Sequence, residues 1–383
     1  MCYLFAAIAF LLVFPCFAPR AGGQALPEGG GSYVTRLGDD TLAVEQFRYG
    51  PTSFAADVML RTPRTVLMRY QGEVDERGNL TSLSASRYDL SEPEPVRVEH
   101  ATYLFGPDSV VIQVEEGDEV RRQAVAAEPG AIPFIDMVHW PFELSFARAA
   151  GTVGEFEQTM IAGRNAQTFV LGRETDGEAV IRHPYRGTTR AQVDERGQIL
   201  SVDGVGTTRA LTLERVNDLD VEALAREFAS RDVRGDVFGP LSGRAEAEGE
   251  IGGAHVVVDY GVPSKRGREI FGALVPYGEV WRTGANRATH FTTNRDVRIG
   301  SAEIPAGTYT LFTIPGPTEW TLIVNRRTDI TGTAHDPAAD VVRIPMEVRD
   351  LAETVEDFTI VVDPSGFLRL QWDRTEAVVP VAR

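Results

Sequence analysis

One segment without strand or helix periodicity, residues 264–286, combines cationic, aromatic and amide side chains between two strand-like stretches. The side chains there that could contact a ligand are Lys265, Arg268, Tyr277, Trp281, Arg282 and Asn286. Arginine offers a rigid fork of donors that suits a carboxylate or phosphate, and tryptophan or tyrosine offers a flat stacking face. The segment therefore predicts a binding site for a small anionic or sugar-like ligand, or for a partner.

The same segment also has a purely structural explanation. Trp281 and Tyr277 would then close one end of a β-sandwich, while Arg268 and Arg282 would satisfy buried carbonyl groups or pair with neighbouring acids. A stretch of about twenty residues without periodicity is uncommon in a compact domain and is often functional. Both interpretations stay open at this point.

Signatures of catalysis or of a metal site are weak elsewhere. The sequence has no Gly-x-Ser-x-Gly turn and no metalloprotease histidine spacing. His255 and Asp259 would share a strand face, but roughly 13 Å apart, too far to hold one metal ion. We therefore predict no metal and no cofactor. A non-enzymatic binding protein is favoured, and a hydrolase or lyase that draws a carboxylate from the sheet is the alternative.

The charge balance excludes one class of partner. The chain has 38 Lys+Arg against 55 Asp+Glu, a formal net charge of −17, and Lys265 is its only lysine. No basic stripe could follow a phosphate backbone, which disfavours nucleic acid. A hydrophobic share of 43% with 24% charged residues indicates a folded chain.

The first residues of the sequence resemble an export leader. Both cysteines lie beside or within an apolar run of about 15 residues, shorter than the roughly 20 that a membrane-spanning helix needs. Small residues follow at 23–25, so we expect residues 1–25 to be a signal peptide cleaved near Ala25. Lipidation of Cys16 is the alternative, although bulky residues precede it. The mature chain is then expected to be exported, periplasmic or extracellular, without a transmembrane segment.

The next region, residues 26–233, is rich in strand-like segments separated by turns. Residues 74–83 and 193–202 resemble each other, and each carries Asp-Glu-Arg-Gly as a four-residue hairpin turn whose glycine takes a positive φ. Either turn chemistry converged, or a β-meander was duplicated. We predict a curved antiparallel sheet or half-barrel with a covering helix.

Residues 132–150 interrupt the strands and carry apolar side chains on every face. This pattern predicts a buried or sheet-packed helical segment, broken or kinked by Pro141. It is either plain core or a plug over an apolar groove. A second helix is expected over residues 220–231, and the turn-rich residues 234–243 are expected to form a linker.

The last region, residues 244–383, alternates cleanly between apolar and polar positions. Ten short strands are expected there. Strands at this density predict a β-sandwich of the jelly-roll type.

Several short motifs of this region, including Trp-Arg-Thr-Gly-Ala-Asn, form a recognisable set. They lie at residues 267–272, 274–278, 280–286, 306–309, 314–316 and 319–320. Together they resemble the bacterial family "domain of unknown function 2911" over about residues 245–363. The resemblance implies an exported, mostly β domain and no particular activity. Arg287 stands where an acidic residue often follows the asparagine, which argues against an acid–base role at that position.

Overall fold

The computed structural model describes residues 25–204, 207, 209–328 and 330–383, so the expected signal peptide lies outside them except for Ala25. Over these residues the chain is mostly β-strand with two α-helices, as the sequence predicts. No helix of the described residues is long and apolar enough to cross a membrane.

The N-terminal region forms one sheet of fifteen strands within the described residues. Its strands are β1 (Gly29–Leu37), β2 (Asp40–Tyr49), β3 (Ser53–Leu60), β4 (Val66–Val74), β5 (Leu80–Asp89), β6 (Val96–Phe105), β7 (Ser109–Glu116), β8 (Glu119–Ala126), β9 (Ile132–Pro133), β10 (Gly154–Ala162), β11 (Asn165–Arg173), β12 (Glu178–His183), β13 (Gly187–Val193), β14 (Ile199–Asp203) and β15 (Leu211–Val216).

Two antiparallel meanders make up this sheet. Strands β1 to β8 follow one another in space as in sequence, and so do β10 to β15. Pairing of β1 with β15 joins the two halves, and the order ends at β8 on one side and β9 on the other, so the sheet is not closed. Side chains of both halves share one hydrophobic core with the first helix, which the sheet therefore wraps.

The two Asp-Glu-Arg-Gly turns form the hairpins that the sequence predicts. Gly78 has φ 75° between β4 and β5, and Gly197 has φ 84° between β13 and β14. Each turn joins the fourth and fifth strands of its own meander. This equal position is what a duplicated meander predicts, and convergent turn chemistry does not require it.

Helix α1 (Trp140–Arg148) lies inside the curve of the sheet, with all of its residues buried. The expectation that Pro141 breaks or kinks the segment is wrong. Pro141 occupies the first turn of α1, where a backbone N–H has no helical acceptor and the fixed φ of proline suits the helix. Residues 132–133 before it form the short strand β9 rather than helix.

Helix α2 (Val221–Val233) appears where the sequence predicts a helix. The Asp220 side chain caps it by accepting from the Ala223 N–H at 2.9 Å. Its apolar face packs on a separate small core with Val44, Met59 and Leu67 of β2 to β4.

The predicted linker, residues 234–243, is bonded to the N-terminal sheet. The Gly239 N–H donates to the Pro63 carbonyl at 3.0 Å, and the Thr62 hydroxyl donates to the Gly239 carbonyl at 2.9 Å. Phe238 packs against a small core that includes Leu211 of β15. These contacts fix the linker against the β3–β4 connection and the start of β15.

Nine strands of the described C-terminal region form a second sheet, in the order β16-β17-β18-β21-β22-β23-β24-β19-β20. They are β16 (Ser242–Ile251), β17 (Ala254–Pro263), β18 (Thr289–Thr293), β19 (Val297–Ile299), β20 (Ala302–Ile304), β21 (Gly307–Ile314), β22 (Glu319–Asn325), β23 (Asp340–Asp363) and β24 (Phe367–Ala382).

Nine strands form instead of the expected ten, because two pairs of predicted strands are continuous and one short strand, β20, was not predicted. The expected strands at 341–348 and 358–363 are both part of β23, and those at 367–373 and 377–381 are both part of β24. Irregular pairing between Asp350 and Thr359 marks the place where β23 changes register. Beyond it, β23 contacts β16 and β17, so the sheet folds back over its own core.

Candidate functional site

Lys265 and Arg268, at the start of the 264–286 segment, are engaged with the protein itself. The Lys265 ammonium donates to the Arg268 carbonyl and to the Asp373 carboxylate, both at 2.7 Å. The Arg268 guanidinium donates to the carbonyls of Lys265, at 2.9 Å, and of Ser264. These contacts hold the loop in shape, as the structural explanation of the segment expects.

Trp281 is a packing residue of the C-terminal core. Its ring lies 5.0 Å from that of Phe358 and 5.9 Å from that of Trp372, centroid to centroid. Its backbone exchanges hydrogen bonds with Thr313 at 2.7 and 2.9 Å. Tyr277, by contrast, is 45% exposed, so the two aromatic residues do not form one stacking face.

Arg282 differs from the other cations of the loop. Its guanidinium is partly buried, yet its only hydrogen bond among the described residues is from Nε to the Gly284 carbonyl at 3.3 Å. No carboxylate of the described residues pairs with it, and burial lowers its pKa. Gly332 leaves room for it, since a Cβ there would lie 2.6 Å from Arg282 Cδ. The side chain of Asn286, four residues later, is exposed.

A pocket opens in the N-terminal sheet beside the segment that precedes α1. Its empty volume, including the open mouth, is about 580 Å³. Six apolar side chains line it together with residues 135–139: Phe134, Phe142, Phe169, Ile181, Val202 and Leu211. Residues 132–146 are thus both core and the wall of a cleft, which joins the two sequence-based explanations of that segment.

The apolar floor of this pocket is an aromatic cluster. The ring of Phe169 lies 5.2 Å from that of Phe134 and 5.7 Å from that of Phe142. His183 packs edge-on against Phe169 at 4.7 Å. Burial, reinforced by the charge of Arg186, lowers the pKa of His183 to about 4, so its imidazole is neutral at pH 7.

Two arginines share one carboxylate at the rim of the pocket. Arg186 donates to Asp136 at 2.6 Å, and Arg209 also donates to Asp136. The Arg186 guanidinium lies 5.6 Å from the centre of the Phe134 ring. The rim therefore carries one net positive charge directly above the apolar floor.

The positive charge of Arg282 on the C-terminal loop acts on Arg209 at the rim of the pocket. Burial lowers the pKa of Arg209, and the positive charges of Arg186 and Arg282 lower it further against the opposing effect of Asp136. Arg266 contacts the β1–β2 turn, with its guanidinium 3.7 Å from the Asp40 carboxylate and 5.2 Å from the Phe238 ring centre. An excess of positive charge therefore gathers where the loop meets the sheet, in a chain of net charge −17.

Backbone strain concentrates in the same place. Of the six described non-glycine residues with a positive φ, five lie at the pocket or on the loop: Met137, Ala210, Arg266, Thr283 and Asn286. Such conformations cost of order 1–3 kcal/mol each and cluster at functional sites. This pattern marks the loop and the pocket each as a candidate functional region.

Helix α1, which bears Phe142, is held in place by buried charges. Glu143 is fully buried, and its carboxylate accepts from Arg215 at 2.8 Å, from the Ile199 N–H at 2.9 Å and from the hydroxyls of Tyr33 and Tyr49. Burial raises the pKa of Glu143, and the charge of Arg215 opposes that shift.

The amino end of α1 is capped by another buried acid. The Glu45 carboxylate accepts from the N–H groups of His139, at 2.9 and 3.1 Å, and Trp140, at 3.0 Å. With Glu143 bonded across to β14 and β15, both acids fix the helix against the strands. The wall of the pocket is therefore rigid.

Sequence reasoning missed the pocket residues Asp136, His183, Arg186 and Arg209. Asp136 is 50 positions from Arg186 and 73 from Arg209, so no local spacing relates them. The sequence held one usable signal of this site, which was an arginine close to aromatic residues in the 183–186 segment. Among the described residues, no three His, Cys, Asp or Glu side chains come together as a metal site would need.

Comparison with known proteins finds one matching family model, and the matching solved structures include two of low similarity. A DUF1089 family protein from Pseudomonas aeruginosa is 13% identical, with a TM-score of 0.31 over 42% of this chain and 89% of its own. A β-barrel-like protein of domain of unknown function DUF1849 from Brucella abortus is 8% identical, with a TM-score of 0.34 over 51% and 98%. Curated proteins give no match. Residues 242–381, which hold the C-terminal sheet and the 264–286 loop, match the family described as "Protein of unknown function (DUF2911)".

Proposed function

We propose that this protein is an exported, non-enzymatic binding protein for a small anionic ligand. Arg282 on the loop and Arg209 at the rim of the pocket would hold the negative group between them. The observation that carries the proposal is Arg282, a partly buried cation without a carboxylate partner among the described residues. A buried charge without a counter-ion is costly, and a bound anion would remove that cost. Export rests on the leader-like residues 1–25 alone.

The charges around Arg282 support an anion rather than a neutral group. Arg209 and Arg186 share the carboxylate of Asp136. Burial lowers the pKa of Arg268 most, and the positive charges of Arg266 and Arg209 lower it further. A guanidinium offers two parallel donors to a carboxylate or phosphate. Trp281 and Lys265 support the loop that carries Arg282 and do not themselves contact the ligand.

Thermal unfolding with simple anions tests this proposal. Inorganic phosphate, citrate and acetate would each be compared with chloride at equal ionic strength, and a bound anion raises the midpoint through linkage. We expect a rise in the wild type and none in Arg282→Ala or Arg209→Ala. Arg298→Ala, which removes an exposed arginine of β19, is the matched control and should respond like the wild type. The site would be disproved if none of these anions raised the unfolding midpoint of the wild type. It would also be disproved if all three variants lost the anion-dependent rise to the same extent.

A further inference from the structure

We infer that the ligand is amphipathic: a carboxylate or similar anionic group at Arg209 and Arg282, joined to an apolar body that lies in the pocket against Phe134, Phe142 and Phe169. This inference rests on the proposed function and adds the chemical class of the rest of the ligand. It concerns a small molecule, since the pocket walls are helix α1 and strands already paired in the sheet.

The floor of the pocket decides between the two ligand classes that the sequence predicts. A sugar carries hydroxyl groups on every face, and burying one without a hydrogen-bond partner costs affinity. Phe134, Phe142 and Phe169 offer no donor or acceptor, and neutral His183 lies edge-on in the same cluster. An alkyl chain or a ring therefore suits this floor better than a sugar, although the hydroxyl groups of Thr189 and Thr207 also line the pocket.

The position of the charges gives the ligand its polarity. Asp136, Arg186 and Arg209 all lie at the rim, and Arg186 sits over the edge of the aromatic floor. The positive charge of Arg282, on the C-terminal loop, acts on Arg209 as well. An anionic head would thus meet Arg209 of the β14–β15 connection and, under the proposed function, Arg282 of the C-terminal loop, while its apolar body lies against the aromatic floor in the N-terminal sheet.

The geometry also gives the ligand a role in joining the two sheets. Met137 and Leu211 line the pocket and pack in the same small core as Phe238 and Leu241 of the linker region. A ligand that fills the pocket and binds Arg282 would therefore contact both regions at once. Its binding should stabilise the contact between the sheets.

A chain-length series tests the inference on the wild-type protein. Calorimetric titration with acetate, hexanoate and decanoate, each below its micelle concentration, should show affinity rising about fourfold for each methylene buried. Decanol and decylammonium have the same tail without the negative charge and should bind at least tenfold more weakly than decanoate. Equal affinity for acetate and decanoate would overturn the inference but leave anion binding intact. Failure of every anion, including phosphate, would instead disprove the proposed function.

A variant that fills the pocket with a larger side chain provides a second test. Thr189 and Thr188 are neighbours on β13; Thr189 lines the pocket, whereas Thr188 is exposed and does not. Thr189→Phe should abolish the dependence on chain length while phosphate still binds, and Thr188→Phe should behave as the wild type. If Thr189→Phe melts as the wild type and binds decanoate unchanged, the apolar body lies elsewhere and the inference is wrong. If Thr189→Phe does not fold, the wild-type series and the decanol comparison still decide.

Discussion

Replacing Gly197 by alanine tests how the sheet positions helix α1, and with it the wall of the pocket. An ideal Cβ on Gly197 would lie 2.4 Å from the carbonyl carbon and oxygen of Phe146 and 2.5 Å from the Ala147 nitrogen. These are backbone atoms of the helix, so no flexible side chain can move away. The helix would have to shift by about 1 Å to restore ordinary contact.

The expected loss has two parts. The positive φ of 84° costs an alanine about 1–2 kcal/mol. Displacing the helix adds about 1–3 kcal/mol, as overpacking of a core does, and strains the bond from the Ile199 N–H to Glu143. Gly163→Ala is the control, because Gly163 has φ 59° with nothing within 4 Å of its Cβ position. We expect the free energy of unfolding to fall by about 2–5 kcal/mol for Gly197→Ala and by about 1–2 kcal/mol for Gly163→Ala.

Urea unfolding of the full chain measures both variants, provided the slope of the transition is unchanged. Hydrogen exchange at the amides of α1 assigns the loss to the N-terminal sheet. Equal midpoints for the two variants, with unaltered exchange in α1, would show that the turn does not seat the helix. The structural basis of the pocket wall would then be wrong.

Three further predictions concern the charged residues. Glu143→Gln should destabilise the chain by about 3–5 kcal/mol in urea, because it leaves the Arg215 cation without its buried counter-ion. His183 has a pKa of about 4 in the folded chain, below its value in the unfolded chain. The free energy of unfolding should therefore decrease as the pH drops from about 6.5 to 4, because the unfolded chain takes up the proton first. The decrease should be smaller for His183→Phe over the same pH range. Arg268→Ala leaves two backbone carbonyls without their donor and should lower the free energy of unfolding by about 1–3 kcal/mol. Arg282→Ala should lower it by less. If the urea midpoints fall in the reverse order, Arg282 has a structural role.

Local chemistry made several elements predictable from the sequence. The Asp-Glu-Arg-Gly turns were predictable because a glycine adopts the positive φ that such a turn needs. In the structure, Asp75 and Asp194 also accept from backbone N–H groups that follow them. Helix α2 was found because Asp220 precedes an apolar pattern of helical spacing. Such signals depend only on a few neighbouring residues.

Elements that depend on distant contacts were harder to predict. Pro141 indicated a broken helix, but a proline breaks a helix only in its interior. Glu45 of β2 caps the amino end of α1 at Trp140, and this contact places Pro141 in the first turn. The long strand β23 was divided in the prediction because its middle residues are polar. Both ends of β23 pair with β24, but between Asp350 and Thr359 only Val355 has a partner on that strand, so nothing in the hydrophobic pattern marks the segment as one strand.

The candidate site combines both situations. The loop from 264 to 286 was visible because arginine and tryptophan lie close together in sequence, yet Trp281 proved to be a core residue. Arg282, its neighbour, becomes a candidate ligand contact because its charge acts on Arg209, which lies in the β14–β15 connection of the N-terminal region. One cation beside a solvated surface binds an anion weakly. Two cations from the two regions of the chain, beside an apolar floor, can bind one more strongly and select its shape. The arginine variants and the chain-length series measure this difference.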